Sequence, residues 1–213
     1  MKLKYTYDKK EDIWCLLNKG KNSNNSPLPT KSYEQLVKFA GKNPNNESTS
    51  KFIDIFLKEN SINIPERIEK YQKEFDDISE EFHKIAGRVF GVELVNDIIV
   101  YLTINNRCPY SISENLFFVS VANTSALRTT LHELWHFYTW YKFDEKEQER
   151  IGFEKYNDIK ESLTVLLNVE CKHLLPKGVE DTGYPQHQDT RNKILKLWEQ
   201  NSDIDFVWKK LTS

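Results

Sequence analysis

The stretch 115–141, NLFFVSVANTSALRTTLHELWHFYTWY, changes its periodicity once, and that change decides the fold. Residues 115–122 are rich in β-branched and aromatic side chains, which suit a pleated, half-buried surface, so they read as a strand. From Thr124 onward apolar residues recur at helical spacing, with Leu127, Leu131, Leu134, Trp135 and Tyr138 around one side, and a helix is predicted over 124–141. Upstream, DIIVYLTI (97–104) has the same strand character. The polar, proline-containing NNRCPYSISE (105–114) joins the two, so the pattern predicts neighbouring strands followed directly by a long helix.

Further out the chain is helical. Ile68, Tyr71, Phe75, Ile78, Phe82 and Ile85 recur at spacings of three and four, predicting one amphipathic helix over 65–86 with Pro65 in its first turn and Gly87 near its end. Short helices are expected near 31–40 and 50–59, separated by the polar segments 19–30 and 42–50, which read as loops. Downstream, DEKEQER (144–150) reads as a charged loop before a helix from Asp158 to Leu174; a helix from Asp189 and a short one near 204–211 close the chain. The expected class is α+β: mainly helical, with a small β-sheet preceding the 124–141 helix. Residues 1–90 are expected to form a helical region packed on a core of residues 91–213.

Composition removes several function classes. Thirty Lys plus Arg against thirty-two Asp plus Glu leave a net charge of −2, so no global field recruits nucleic acid or an acidic membrane. The seven glycines form neither G-x-G-x-x-G nor G-x-x-x-x-G-K-[ST], which argues against the common nucleotide-binding loops. Three scattered cysteines, Cys15, Cys108 and Cys171, contain no C-x-x-C pair and read as reduced thiols. No apolar run is long enough to span a bilayer, and the N-terminal residues lack a signal-type apolar core, so a soluble cytoplasmic protein is expected.

Within the predicted helix lies His132-Glu133-Leu134-Trp135-His136. Two histidines four apart lie one turn apart on the same face, so both imidazoles can reach one ion, while the intervening Glu133 points beside it. Zinc suits such a donor set, with three protein ligands leaving a position for water. The ion acidifies that water, and Glu133 can accept its proton. The alternative is a helix whose histidines are ordinary core or surface residues; the apolar surroundings and the strand immediately upstream weigh against it.

Over residues 97–175 the chain resembles the zincin metallopeptidases: two strands, the H-E-x-x-H helix, then a further helix with another acidic residue. The resemblance implies His132 and His136 as zinc ligands, Glu133 as general base and acid, and a peptide or protein substrate. It also implies that the strand 115–122 is the sheet edge along which an extended peptide pairs. The metzincin pattern is ruled out, because its glycine and histidine fall on Thr139 and Lys142. Gluzincins take a glutamate from a later helix, and Glu161 stands 25 residues after His136. The N-E-x-x-S-D wording is missing, since Asp158 follows Asn157 and Ser162 follows Glu161.

Glu161 also has a purely structural reading, as the third residue of a capping box begun by Asp158. Asp158, Glu154 and His173 are other candidates for the third ligand. Cys108, 24 residues before His132, would give a peptide-deformylase-like amidase, but the E-G-C-x-S wording of that family is absent around NRCPY. For the oxyanion that develops on an attacked carbonyl, Tyr184 and His187 in GVEDTGYPQHQDTR (178–191) are candidates, with a turn and a helix start as their plainer reading. The expectation is a gluzincin-like zinc peptidase. The competing expectations are a non-catalytic zincin scaffold that binds a partner and a structural metal site closed by a fourth protein ligand.

Overall fold

A computed structural model describes residues 1–20 and 28–213. Of the loop expected over 19–30, residues 21–27 lie outside the described residues. The α+β class holds: among the described residues helices dominate and one four-stranded sheet accompanies them. The chain forms two compact units, residues 1–75 with 96–126, and residues 76–95 with 127–213, a division that runs differently from a cut at residue 90.

The first unit contains β1 (Leu3–Thr6), α1 (Lys9–Lys19), α2 (Lys31–Ala40), α3 (Asn46–Glu59) and most of α4 (Ile64–Asp76), then β2 (Ile98–Thr103), β3 (Tyr110–Ser111) and β4 (Leu116–Ser120). The sheet order is β1-β2-β4-β3, with β1, β2 and β4 parallel and β3 antiparallel to β4. The two strands expected from sequence are therefore neighbours, in parallel register from Ile99↔Leu116 to Thr103↔Ser120. β4 is not the sheet edge that the resemblance implied; β2 and β3 flank it, and the edges are β1 and the two-residue β3. Val100, Leu102, Phe117 and Val119 are fully buried, which accounts for the near-continuous apolar runs of these strands.

β1 was invisible to pattern reading because four residues, with Leu3 and Tyr5 buried and Lys4 exposed, are too few to establish alternation. Its outer edge is covered by one side chain: Gln72 accepts from Tyr5 N at 3.0 Å and donates to Leu3 O at 3.0 Å, standing in for a strand neighbour. α1, also unforeseen, is capped by Asp8 and sends Asp12 inward.

Asp12 is fully buried and accepts from Thr103 Oγ1 (2.6 Å), the Ile104 amide (3.0 Å) and the Tyr7 hydroxyl (3.2 Å). Burial pushes its carboxyl up to about 6, against these hydrogen bonds, which favour the anion. A carboxyl raised on folding binds its proton more tightly in the native state, so its stabilising effect is complete below the ordinary carboxylate range and is lost as pH rises through about 6. Asp12→Asn is therefore expected to gain less stability than the parent when pH falls from 6 to 4. Denaturant melts of both proteins across that interval check it, and parallel curves would remove Asp12 from the pH dependence.

The second unit holds α5 (Ser79–Phe90), α6 (Ala126–Lys142) from Leu127 on, α7 (Glu145–Ile151), α8 (Phe153–Leu163), a 3-10 turn at 164–166, α9 (Leu167–Glu170), α10 (Gln188–Gln200) and α11 (Ile204–Thr212). The helix expected over 65–86 is broken at 77–78, where the chain passes from the first unit to the second. Phe75 and Phe82 thus serve different cores, and a continuous heptad-like pattern hid the break. DEKEQER is a helix rather than a loop. Asp144 caps it, accepting from Lys146 N at 3.0 Å, and the acidic first turn complements the helix dipole, although the helix buries no side chain that periodicity could detect. Gly152, in the left-handed region at φ 85°, ends α7, so α8 begins at Phe153, five residues before the expected start at Asp158.

α6 is held from several sides. Trp135 is fully buried, donates its indole N–H to Leu163 O at 3.0 Å and meets the Phe90 ring edge-on at 5.0 Å. At its far end Phe143 stacks on Trp208 at 3.8 Å. His83 bonds the Tyr138 hydroxyl through Nδ1 at 2.8 Å, and burial pushes its imidazole down to about 4, so it stays neutral. Among the described residues no helix is long and apolar enough to cross a membrane.

Candidate metal centre

The pentapeptide lies in the middle of α6, and its helical spacing turns both imidazoles the same way, with ring centroids 4.5 Å apart. Glu161 reaches them from α8: its Oε2 lies 3.6 Å from His132 Nε2 and 3.4 Å from His136 Nε2. These three side chains form a group whose ligand atoms all lie within 4.8 Å of one another. Among the described residues no fourth His, Cys, Asp or Glu joins it. The Trp135–Leu163 hydrogen bond fixes the two helices at the turn that carries the histidines, so the convergence is part of the packing.

Glu161 is the ninth residue of α8, well past the first turn, so the capping-box reading fails. The other acidic and histidine candidates are occupied elsewhere or exposed. Asp158 bonds His187 Nδ1 at 2.5 Å, His173 pairs with Glu81 at 2.9 Å on the surface, and Glu154 is exposed. Cys108 is half-buried and outside the group. The thiols of Cys15 and Cys171 are pushed up to about 12 by burial, which keeps them protonated and inert.

Glu133 is buried, and its Oε2 has no hydrogen-bond partner. Burial pushes its carboxyl up to about 7, partly offset by the His132 charge. A carboxylate placed beside the ligand group with an unsatisfied oxygen is suited to exchanging a proton there. His136 is pushed down to about 4 by burial, which favours the neutral imidazole that a metal needs. Burial opposes charge on His132 too, but its bonds to Asp181 and Glu161 outweigh that and push it up to about 10. Glu161 is held ionised despite burial by His136, His132 and Lys160. By donor type and placement, His132, His136 and Glu161 form a group that could hold a metal ion. His132 keeps 14 % of its side chain exposed against 2 % for His136, so the group opens on the His132 side.

Sequence reading missed the partner of His132. Asp181 Oδ2 lies 2.7 Å from His132 Nδ1, an arrangement that orients the imidazole ring and aims its Nε2. Asp181 is itself anchored on every side. Arg191 bonds its Oδ1 at 3.1 Å and its carbonyl, Thr164 Oγ1 lies 2.9 Å from Oδ1, and Asn168 bonds its main-chain N–H and carbonyl, each at 2.8 Å. Gly183 sits at φ 59°, and a Cβ there would lie 2.6 Å from Arg191 Nη1, so any other residue would be strained and would displace the guanidinium. No fixed spacing advertises Asp181 in GVEDTGY; the sole signal was an acidic residue in a loop following the Glu161 helix.

His187 is buried at the start of α10, tied to Asp158, which also accepts from Thr190 Oγ1 at 2.7 Å. Asp158 stands three residues before Glu161 on α8, so His187 is tied to the same helix that carries Glu161. Tyr184 is exposed, with its ring 6.0 Å from that of His187. Comparison with protein-family models, curated proteins and solved structures found no match to this chain.

Proposed function

We propose that the protein is a zinc-dependent metallohydrolase that cleaves amide bonds of peptides or proteins. The observation behind this reading is the convergence of His132 Nε2, His136 Nε2 and Glu161 Oε2 beside the buried, unpartnered Glu133 Oε2. His132, His136 and Glu161 would hold the ion, which when bound supplies an acidified water and a positive centre for a substrate carbonyl. Glu133 takes the water's proton and later delivers it to the leaving nitrogen, a role for which a carboxyl raised by burial is poised. His187, oriented by Asp158, is the better of the two oxyanion donors, because it is buried and fixed whereas Tyr184 is exposed. The lack of a fourth protein ligand among the described residues favours a catalytic site over a closed structural one.

The test is metal stoichiometry followed by a peptide-library digest read by mass spectrometry. One zinc per chain, lost in His136→Ala and Glu161→Ala, together with cleavage by the parent, is the expected result. Tight zinc binding unchanged in Glu161→Ala discards the ligand assignment. Zinc bound in the parent with no cleavage of any library member would favour a scaffold that binds a partner.

A further inference from the structure

Lys160 is 5 % exposed, an unusual state for a lysine, whose ammonium ordinarily extends along its stem to water. Its Nζ lies 2.8 Å from Glu161 Oε1. The two oxygens of Glu161 are thereby divided: Oε2 faces both imidazole Nε2 atoms, and Oε1 faces the ammonium. Burying a charged pair is weak evidence for stability, since desolvation of both ions offsets their attraction. The arrangement calls for a role at the carboxylate itself.

We infer that Lys160 is a positioning residue that restricts Glu161 to one ligating oxygen and draws charge from it, keeping a coordination position of the metal free for water. The inference rests on the proposed metal site and concerns what Lys160 adds to it. A carboxylate with both oxygens available can chelate a divalent ion, raising its coordination number and crowding out exchangeable ligands. A cation hydrogen-bonded to one oxygen prevents this and weakens the electrostatic hold on the ion. Removing the ammonium therefore has an unusual signature: tighter metal binding with slower hydrolysis.

The experiment compares the parent with Lys160→Met, which keeps the apolar stem, and Lys160→Arg, which keeps the charge. Zinc affinity is measured by competition with a chelator, and the site geometry by the visible absorption of the cobalt(II)-substituted proteins. Lys160→Met is expected to bind zinc about tenfold more tightly, as relief of cation–ion repulsion predicts, to show a weaker cobalt d–d absorption as coordination rises, and to lose activity; Lys160→Arg is expected to return all three toward the parent. If Lys160→Met does not fold, the same readings are taken on Lys160→Leu, which offers no donor to Oε1. Unchanged or weaker zinc binding with a parental cobalt spectrum overturns the inference while leaving the metal site intact. Failure of both neutral variants to fold also overturns it, assigning Lys160 to stability. A parent that binds no metal refutes the metal-site reading first, and is distinguishable because no variant then has a spectrum to compare.

Discussion

Glu133→Gln is expected to lower kcat/KM for peptide cleavage by about 10²- to 10⁴-fold, the range that a positioned general base contributes, while zinc stoichiometry stays at the parental value. Glutamine has the shape of glutamate and fits the same buried position, so the substitution should not disturb α6. What it removes is the ability to accept a proton at the oxygen that has no hydrogen-bond partner. Glu133 is not one of the three clustered ligand donors, which is why metal content should be indifferent to it. The measurement pairs metal analysis with initial rates on any peptide that the library digest yields. Parental activity in Glu133→Gln would falsify the general-base role, and loss of the metal in that variant would show that the carboxylate belongs to the ligand set.

Asp181→Ala carries the largest expected cost to stability, about 3–5 kcal/mol, because it leaves the Arg191 guanidinium buried without its counter-charge. Arg191 is 3 % exposed and hydrogen-bonds to Thr164 and Asp181. The same substitution takes the orienting acceptor from His132 Nδ1 and should weaken zinc binding by about 10- to 100-fold. These two effects separate in Asp181→Ala/Arg191→Met. Removing the stranded charge should recover most of the stability, whereas zinc affinity should stay low, since His132 still lacks its partner. Denaturant midpoints and chelator competition on the single and double variants give both quantities. Recovery of zinc affinity along with stability would mean that Asp181 acts on the metal site only through the fold.

The parts legible in the sequence are those set by short-range periodicity. The strands at 98–103 and 116–120 and the helix carrying residues 132–136 followed from one change of period, because each buries a continuous apolar face that the sequence must display. The spacing of four between His132 and His136 fixed their common face before any packing was known. Elements with little to bury were misread for the same reason. β1 is four residues long, and α7 buries nothing, so neither writes a pattern. The 65–86 pattern ran unbroken through residues 77–78 because amphipathic spacing records which side of a helix is apolar, not which core that side enters.

By itself, then, the sequence determined the α+β class, the H-E-x-x-H helix and a short list of candidates for a third ligand, all consequences of local geometry. Only the tertiary structure shows which of those candidates lies beside the two histidines. It placed Glu161 against both imidazoles, tied Asp158 to His187 and His173 to Glu81, and brought Asp181 behind His132 across 49 residues of chain. Those choices depend on how α8 and the 178–187 segment pack against α6. Such packing is settled by shape and by the need to satisfy buried charge, and neither leaves a fixed spacing in the chain.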